Sequence, residues 1–447
     1  MKLRKIVILL MLFPISTILN NVYAADDLLT IYALAVKNNP TLAAAYSNKN
    51  LIEERVEQSR ALKRPTVNFT MNMTHSETDI KFNGANRVFR DTGRQSFENY
   101  GYVFNANQPI YRKQNNVQLD QTLLQEKQSE VQIALSQQDL MLKTTQAYFE
   151  VLAAQDRLAL LGAQKNAVSR QLEQAKANFE VGTATITDVN EAQAKYDLTL
   201  AQEIATESEL EVKKRMVQAI TSRPPDKLAT VQGGIKIERA AIDMEVLVQS
   251  AEQNNLELQI QQKNLEMANK DIEKAQAAHL PTLDAVASYA DSRANGGING
   301  FGSDSTNATI GMQLVIPIYQ GGAVNSKVRE AQALVQKTQD DLEAVRREVS
   351  LNVRQAYLNH VSSIAQVTAY EQALKSSQSQ LDSTQLGYEV GVRTSVDVLN
   401  AQQQLFNAKK DLMQSRYNYL LSKIQVKYAT GELAQVDLEE INQLLSQ

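Results

Sequence analysis

Residues able to do covalent chemistry are sparse in this chain. Its three histidines, His75, His279 and His360, stand far apart and in no metal-ligand spacing, and there is no cysteine. Nucleophile-elbow, P-loop and zinc-ligand patterns are missing as well. The expectation is a protein that is not an enzyme and needs no metal or cofactor. What the residues do offer is hydrogen bonding at a turn. The chain reads ANFEVGTATITDVNEAQ from Ala177 and LGYEVGVRTSVDVLNAQ from Leu386. Val181, Gly182, Thr185 and Asp188 thus recur as Val390, Gly391, Thr394 and Asp397. A threonine three residues ahead of an acidic residue, just before apolar helical positions, has the spacing of a capping box. Glycine after a helical run supplies the positive φ that ends it. Each phrase therefore reads as helix, tight turn, helix.

The two phrases lie 209 residues apart, and other landmarks recur in the same order. LKRPTVNF (Leu62 to Phe69) is echoed by HLPTLDAV (His279 to Val286), and QPIYR (Gln108 to Arg112) by IPIYQ (Ile316 to Gln320). QAYF at Gln146 returns as QAYL at Gln355, and NNPTL at Asn38 weakly as NNLEL at Asn254. A repeat of this length implies two copies of one large supersecondary unit.

Bulk properties narrow the class. Lys2, Arg4 and Lys5 precede an apolar run from Ile6 to Ile18, and Val22-Tyr23-Ala24 fits a small-x-small cleavage site. This predicts a secretory leader over residues 1–24, the run being too short to span a bilayer. Its removal takes the formal net charge from -4 to about -7 by the loss of those three cations, which argues against nucleic acid as a partner. An exported chain without cysteine has no disulfides.

Four segments alternate with period two. Val67, Phe69, Met71 and Met73 interleave with Asn68, Thr70, Asn72 and Thr74, and Tyr102, Phe104 and Ala106 do the same. Leu283, Ala285, Ala287 and Tyr289 form a third, and Ile310, Met312, Leu314 and Ile316 a fourth. Strands of about 9 to 11 residues suit a tilted membrane span. Helical patterns begin directly at the flanking prolines, leaving no layer to cover the sheet. Four strands cannot close a barrel, and open edges do not survive in lipid, so transmembrane strands demand oligomers. Three chains would give twelve strands.

Between the strands lie helices too long for a globule. From about Arg112 to Glu180 there is no proline. Val117, Leu124, Val131, Leu135, Leu142, Phe149 and Leu152 form one seam, and Leu119, Leu123, Ile133, Leu140 and Val151 a second. Two seams imply a neighbour on each side, as in a cylinder of helices. The returning helix, about Thr187 to Ser222, is half as long, and the expectation is that Asn255 to His279 stacks on it end to end. The second half repeats the plan, from Ala323 to Glu389 and back from Ser395 to Ala429. A dimeric coiled-coil rod would account for the seams but not for the strands.

The chain resembles the TolC family of outer-membrane efflux and export channels over residues 25 to 440. The doubled VG-x-x-T-x-x-DV turns, HLPTLD, PIYQGG (Pro317 to Gly322), FNAKKDL (Phe406 to Leu412) and RYNYLL (Arg416 to Leu421) carry the resemblance. It implies a mostly α fold with transmembrane β, in which a trimeric twelve-stranded outer-membrane barrel continues into a long periplasmic α-helical barrel. The implied divisions are a leader at 1–24, leading helices at 25–66 and a β-hairpin at 67–109. A helical hairpin at 110–223, an equatorial segment at 224–254 and a helix at 255–280 follow. The second β-hairpin is at 281–317, the second helical hairpin at 318–429 and a final equatorial segment at 430–447.

The resemblance also implies a function: passive export from an outer-membrane location with most of the mass in the periplasm. The implied partners are two further copies, outer-membrane lipid, a periplasmic adaptor and an inner-membrane RND or ABC pump. It implies gate links among Thr187, Asp188, Tyr388 and Arg393, and a constriction at Asp397 and Asn400. Asn400 stands where the best-known members carry a second aspartate, which implies weaker divalent-cation block. Three Asp397 side chains near an axis would repel, raising their pKa or attracting cations. Val181, Gly182, Thr185, Val390, Gly391 and Thr394 would meet the adaptor. Only the second copy carries the donors, because Phe179 and Ala184 occupy the places of Tyr388 and Arg393. The other reading, a periplasmic coiled-coil adaptor or structural protein, leaves the second hairpin and the strands unexplained.

Overall fold

The computed structural model describes residues 26–80, 93–225, 227–231, 237, 243–297 and 301–445. The leader expected over residues 1–24 lies outside these. The first repeat opens with α1 (Leu28–Asn38) and α2 (Pro40–Ala61), followed by β1 (Thr66–Ile80) and β2 (Gly93–Tyr111). Then α3 (Lys113–Glu180) runs out and α4 (Ile186–Thr221) runs back. The second repeat follows suit with α5 (Met244–Asn254), α6 (Leu256–Ala277), β3 (Thr282–Ala294) and β4 (Ser303–Val315). It continues with α7 (Ala323–Glu389) and α8 (Ser395–Thr430), and α9 (Gln435–Asn442) closes the order. At about 1.5 Å per residue, α3 alone spans roughly 100 Å.

The strands form one antiparallel sheet in the order β1-β2-β3-β4, so the β2–β3 ladder joins the two repeats. They run 13 to 19 residues, longer than the span expected from the alternating segments. Phe69, Phe104 and Tyr289 stand in register across three strands, and Phe69 and Phe104 have ring centroids 4.8 Å apart. Ile310 and Met312 continue the same face and stay exposed, Ile310 at 90%. A contiguous apolar sheet face without a covering layer is what a lipid-facing surface looks like. No helix among the described residues is long and apolar enough to cross a membrane. Among the described residues, β1 and β4 each keep one edge unpaired within the chain.

Arg112 ties the sheet to the helices. Its Nε donates to Asp284 Oδ1 at 2.9 Å and its Nη2 to Oδ2 at 2.5 Å, while Asp284 is only 6% exposed. A two-pronged pair of this kind fixes orientation as well as distance. It sets the start of α3 against β3 where the strands give way to helix.

The helices make four columns. Each of the two shorter returning helices is extended by the leading helix of its own repeat, which corrects the expected stacking of 255–279 on 187–222. Asn38 Nδ2 donates to Thr221 O at the end of α4, at 2.9 Å. Asn255 Nδ2 donates to Ala429 O near the end of α8, at 3.1 Å. Gly431, with φ +78°, closes that second junction; a Cβ there would lie 2.5 Å from Asn254 O. The asparagines of the NNP and NNL echo are therefore junction residues. Asn39 and Asn255 also cap α2 and α6 by accepting from backbone amides at their first turns. The column order is α2 with α4, then α3, then α6 with α8, then α7.

At mid-height the columns are held by the main core. Tyr148 on α3 is fully buried among Leu28, Ile31, Leu152, Leu420 and Leu438. Its Oη donates to Ala229 O at 2.7 Å, and burial pushes its pKa far up, so it stays a neutral donor. Tyr417 and Tyr428 of α8 donate to Asp156 and Asp139 of α3, each at 2.5 Å. Burial raises the Asp156 carboxyl above the usual range, although the Tyr417 bond pulls the other way.

Replacing Tyr148 by Phe strands the Ala229 carbonyl without otherwise changing the packing. The expected loss is about 1–3 kcal/mol of stability. Denaturant unfolding followed by circular dichroism measures it, and an unchanged midpoint would show that the hydroxyl is dispensable.

Hairpin tips as the candidate functional site

The two helical hairpins end in nearly superimposable turns. After α3, Gly182 N donates to Phe179 O at 3.0 Å and Thr183 N to Asn178 O at 2.8 Å. After α7, Gly391 N donates to Tyr388 O at 3.0 Å and Val392 N to Gly387 O at 2.8 Å. These crossed bonds are a Schellman ending, and they need positive φ at the glycines, which is +77° at Gly182 and +80° at Gly391. Added Cβ atoms would touch nothing within 4 Å, so the glycines answer to backbone conformation and not to space.

The capping boxes complete both turns. Thr185 N and Oγ1 donate to Asp188 Oδ2, each at 2.8 Å, and Asp188 N donates back to Thr185 Oγ1 at 3.2 Å. Thr394 and Asp397 repeat this at 2.9 and 3.2 Å. The Thr394 amide and hydroxyl, with Arg393 nearby, hold the Asp397 carboxyl below the usual carboxylate range. Within one chain the direction is thus opposite to the effect of like charges meeting at an axis.

The expected gate residues are only partly brought together within one chain. Tyr388 Oη accepts a bond from Asn178 Nδ2 at 3.1 Å, a partner the sequence reading missed. Among the described residues, no hydrogen bond joins Tyr388 or Arg393 to Thr187 or Asp188. Thr187, Arg393 and Asn400 are exposed, and Asp188 and Asp397 are half-buried. The stem of Arg393 lies over Gly387, where a Cβ would sit 2.7 Å from Arg393 Cγ. Apolar side chains crowd the outer surface of both tips, with Val181 at 73% and Val390 at 66% exposure.

Higher up, the hairpins are braced differently. Lys165–Glu203 at 2.5 Å, Arg157–Glu209 at 2.8 Å and Lys213–Glu150 at 3.0 Å bridge α3 to α4. Between α7 and α8, Arg416–Glu371 at 3.1 Å is an ion pair, and His360 Nδ1 meets Ser422 Oγ at 2.9 Å. His360 stacks on Tyr419, and burial together with Lys423 lowers its pKa. His75 lies within β1, 3.2 Å from Ser96 Oγ, and His279 follows the end of α6 beside Asn325.

The Outer membrane efflux protein family matches residues 31–221 and 247–432, one stretch in each repeat. Outer membrane protein TolC of Vibrio cholerae serotype O1 is 35% identical over 422 residues, covering 94% of this chain and 93% of its own. Proteases secretion protein PrtF of Dickeya chrysanthemi is 27% identical over 424 residues, covering 93% of this chain and 90% of its own. In fold the chain is similar to the solved CmeC outer membrane channel of Campylobacter jejuni. That likeness has a TM-score of 0.76 at 16% identity and covers 94% of this chain and 90% of that one.

The lowered Asp397 pKa carries a sign. Its contribution to the tip is complete above the ordinary carboxylate range and is lost as pH falls through the lower folded-state value. Thr394→Ala removes the hydroxyl and should bring that loss to a higher pH. It should also cut protection of the first α8 amides about five-fold. Hydrogen exchange read at Asp397 and Val398 across acidic pH measures both, and wild-type protection in the variant would contradict the capping role.

Proposed function

Because the chain belongs to the outer membrane efflux protein family, we propose that three copies close a twelve-stranded barrel with a twelve-column helical duct beneath it. The protein is an outer-membrane channel for efflux or type I secretion, and its relatives are channel proteins, not enzymes. TolC-like channels work with adaptors and inner-membrane pumps in tripartite systems. The observation that carries the trimer is the sheet: two unpaired edges and an uncovered apolar face are untenable in lipid unless the edges meet another copy. Three copies of four strands and four columns satisfy both layers at once.

The hairpin tips are the gate in this reading. Arg393 is exposed, carries five donors and has no counterpart in the first hairpin, so it suits a link to Thr187 or Asp188 of a neighbouring copy. Tyr388 supplies the second donor. Asp397 and Asn400 lie on the first turns of α8 and would ring the constriction. The exposed valines, with Gly182, Thr185, Gly391 and Thr394 shaping the turns, form the surface for the adaptor, behind which an RND or ABC pump supplies the energy. The ion pairs between α3 and α4 favour the second hairpin as the one that moves. A periplasmic adaptor reading has no use for a four-stranded sheet with an apolar outer face.

Planar-bilayer recording of the purified oligomer tests the gate. Tyr388→Phe combined with Arg393→Ser should raise mean conductance several-fold, because a bistable gate needs only a few kcal/mol of bias. Conductance equal to wild type would mean that these side chains do not hold the tip shut. Separately, Asn400→Asp should lower the Mg2+ concentration needed for half-block by adding a second ring of carboxylates. An unchanged block would place Asn400 away from the ion path.

A further inference from the structure

We propose that a heptad ladder of side-chain amides on α3, Gln164, Gln171 and Asn178, latches the second hairpin to the first, with Asn178 acting as the positioning residue for Tyr388. This rests on the reading of the hairpin tips as a gate. The three residues are seven apart, so they form one stripe along α3 with a rung about every 10 Å. Each donates an amide hydrogen to an oxygen of the second hairpin. Gln164 Nε2 reaches Gln403 Oε1 at 2.8 Å, Gln171 Nε2 reaches Ser395 Oγ at 3.1 Å, and Asn178 Nδ2 reaches Tyr388 Oη at 3.1 Å. Gln171 and Ser395 are each only 8% exposed. Between the rungs, Leu399 of α8 is buried against Val168, Leu172 and Ala175 of α3.

The rung nearest the tip is built to be rigid. The Asn178 carbonyl accepts from Thr183 N at 2.8 Å, Ala184 N at 3.2 Å and Thr183 Oγ1 at 3.1 Å. The turn that ends α3 thereby fixes the residue whose side chain holds Tyr388. Tyr388 Oη accepts in that bond, so its own proton remains available. A phenol that accepts a hydrogen bond becomes a stronger donor through cooperative polarisation. Asn178 thus orients Tyr388 and strengthens it for a further link. The equivalent position in the second repeat is Gly387, which instead makes room for the Arg393 stem. One repeat position has diverged into a latch in one hairpin and a cradle in the other.

All three rungs are neutral, and that suits a reversible device. When the hairpins part, amides and hydroxyls return to water without leaving a stranded charge. Screening by salt leaves them untouched, unlike a link through Arg393.

The test uses the full-length oligomer in planar bilayers. Asn178→Leu should raise the open fraction about five-fold, the effect of losing one net hydrogen bond. The rise should be the same in about 0.1 M and 1 M KCl. Asn178→Gln, which keeps the amide, should restore most of the closed behaviour. In a Tyr388→Phe background, Asn178→Leu should add nothing, since the acceptor is already gone. Ser395→Ala, one rung higher, should open the channel in the same direction and serves if the Asn178 variants do not assemble. A wild-type open fraction in Asn178→Leu and Ser395→Ala, with the Tyr388→Phe/Arg393→Ser pair still opening, would overturn the latch and leave the gate standing. Additive effects of Asn178→Leu and Tyr388→Phe would overturn the positioning role. If even the Tyr388→Phe/Arg393→Ser pair fails to open, the gate reading falls and takes the latch with it.

Discussion

Two of the three other columns pack directly on one helix, α3, and the seam along it is held by side-chain carboxamides. Gln121 donates to Asp271, Gln128 to Asn264, and Gln138 to the carbonyls of Gly431 and Leu433. Lower down, Gln164, Gln171 and Asn178 continue the series onto the second hairpin. A seam of leucines would pack nearly as well after sliding by one heptad. An amide buried without a partner is costly, so a slid register strands several at once. Polar seams of this kind fix register more than they add stability. Small residues do the rest: Thr144, Thr145, Ala153 and Ala154 of α3 are all nearly inaccessible.

That fixed register also governs how the sheet meets the helical columns. The Arg112–Asp284 pair transmits it across the junction, because β3 and α3 come from different repeats. The β2–β3 ladder makes the same connection through the backbone. The two repeats are therefore joined at the sheet, along α3, and again where Tyr417 and Tyr428 reach Asp156 and Asp139. A displacement confined to the tips can occur without disturbing the sheet, since the mid-height core lies between them.

Local spacing made much of this legible in the sequence. The duplication, the helix ends at Gly182 and Gly391, both capping boxes and the four alternating strands depend on residues a few positions apart. What was not legible depends on pairing between distant segments. Apolar periodicity picked out Val117 and Leu124 but passed over Gln121 and Gln138, because glutamine is common and its burial shows only when a partner is opposite. The stacking of α6 on α8 instead of α4 hinges on Asn255 meeting Ala429, a contact that no period announces. Asp397 was expected to answer to its own copies across an axis, whereas within the chain its cap dominates. The Thr394 amide and hydroxyl are in direct contact with the carboxylate and set the direction of its shift within one chain.

The divergence of the two repeats follows from the same seam. α3 has a column on each side, so the hairpin it forms with α4 is buried along one flank and braced by three ion pairs along the other. α7 has only the α6–α8 column beside it within the chain, and near the tip Leu381, Val398, Ala401 and Leu405 make a small apolar cluster of its own hairpin. The comparable cluster of the first hairpin, Val168, Leu172, Ala175 and Ala192, is instead shared with Leu399 of α8. Donors placed on the first hairpin would have to wait for a partner to move toward them. In the proposed gate, donors on the second hairpin, at Tyr388 and Arg393, would travel with the part that leaves, while Asn178 would hold the fixed end of the bond. On the proposed gate reading, the duplication gives two nearly identical turns opposite mechanical roles, through which neighbours their helices happen to keep.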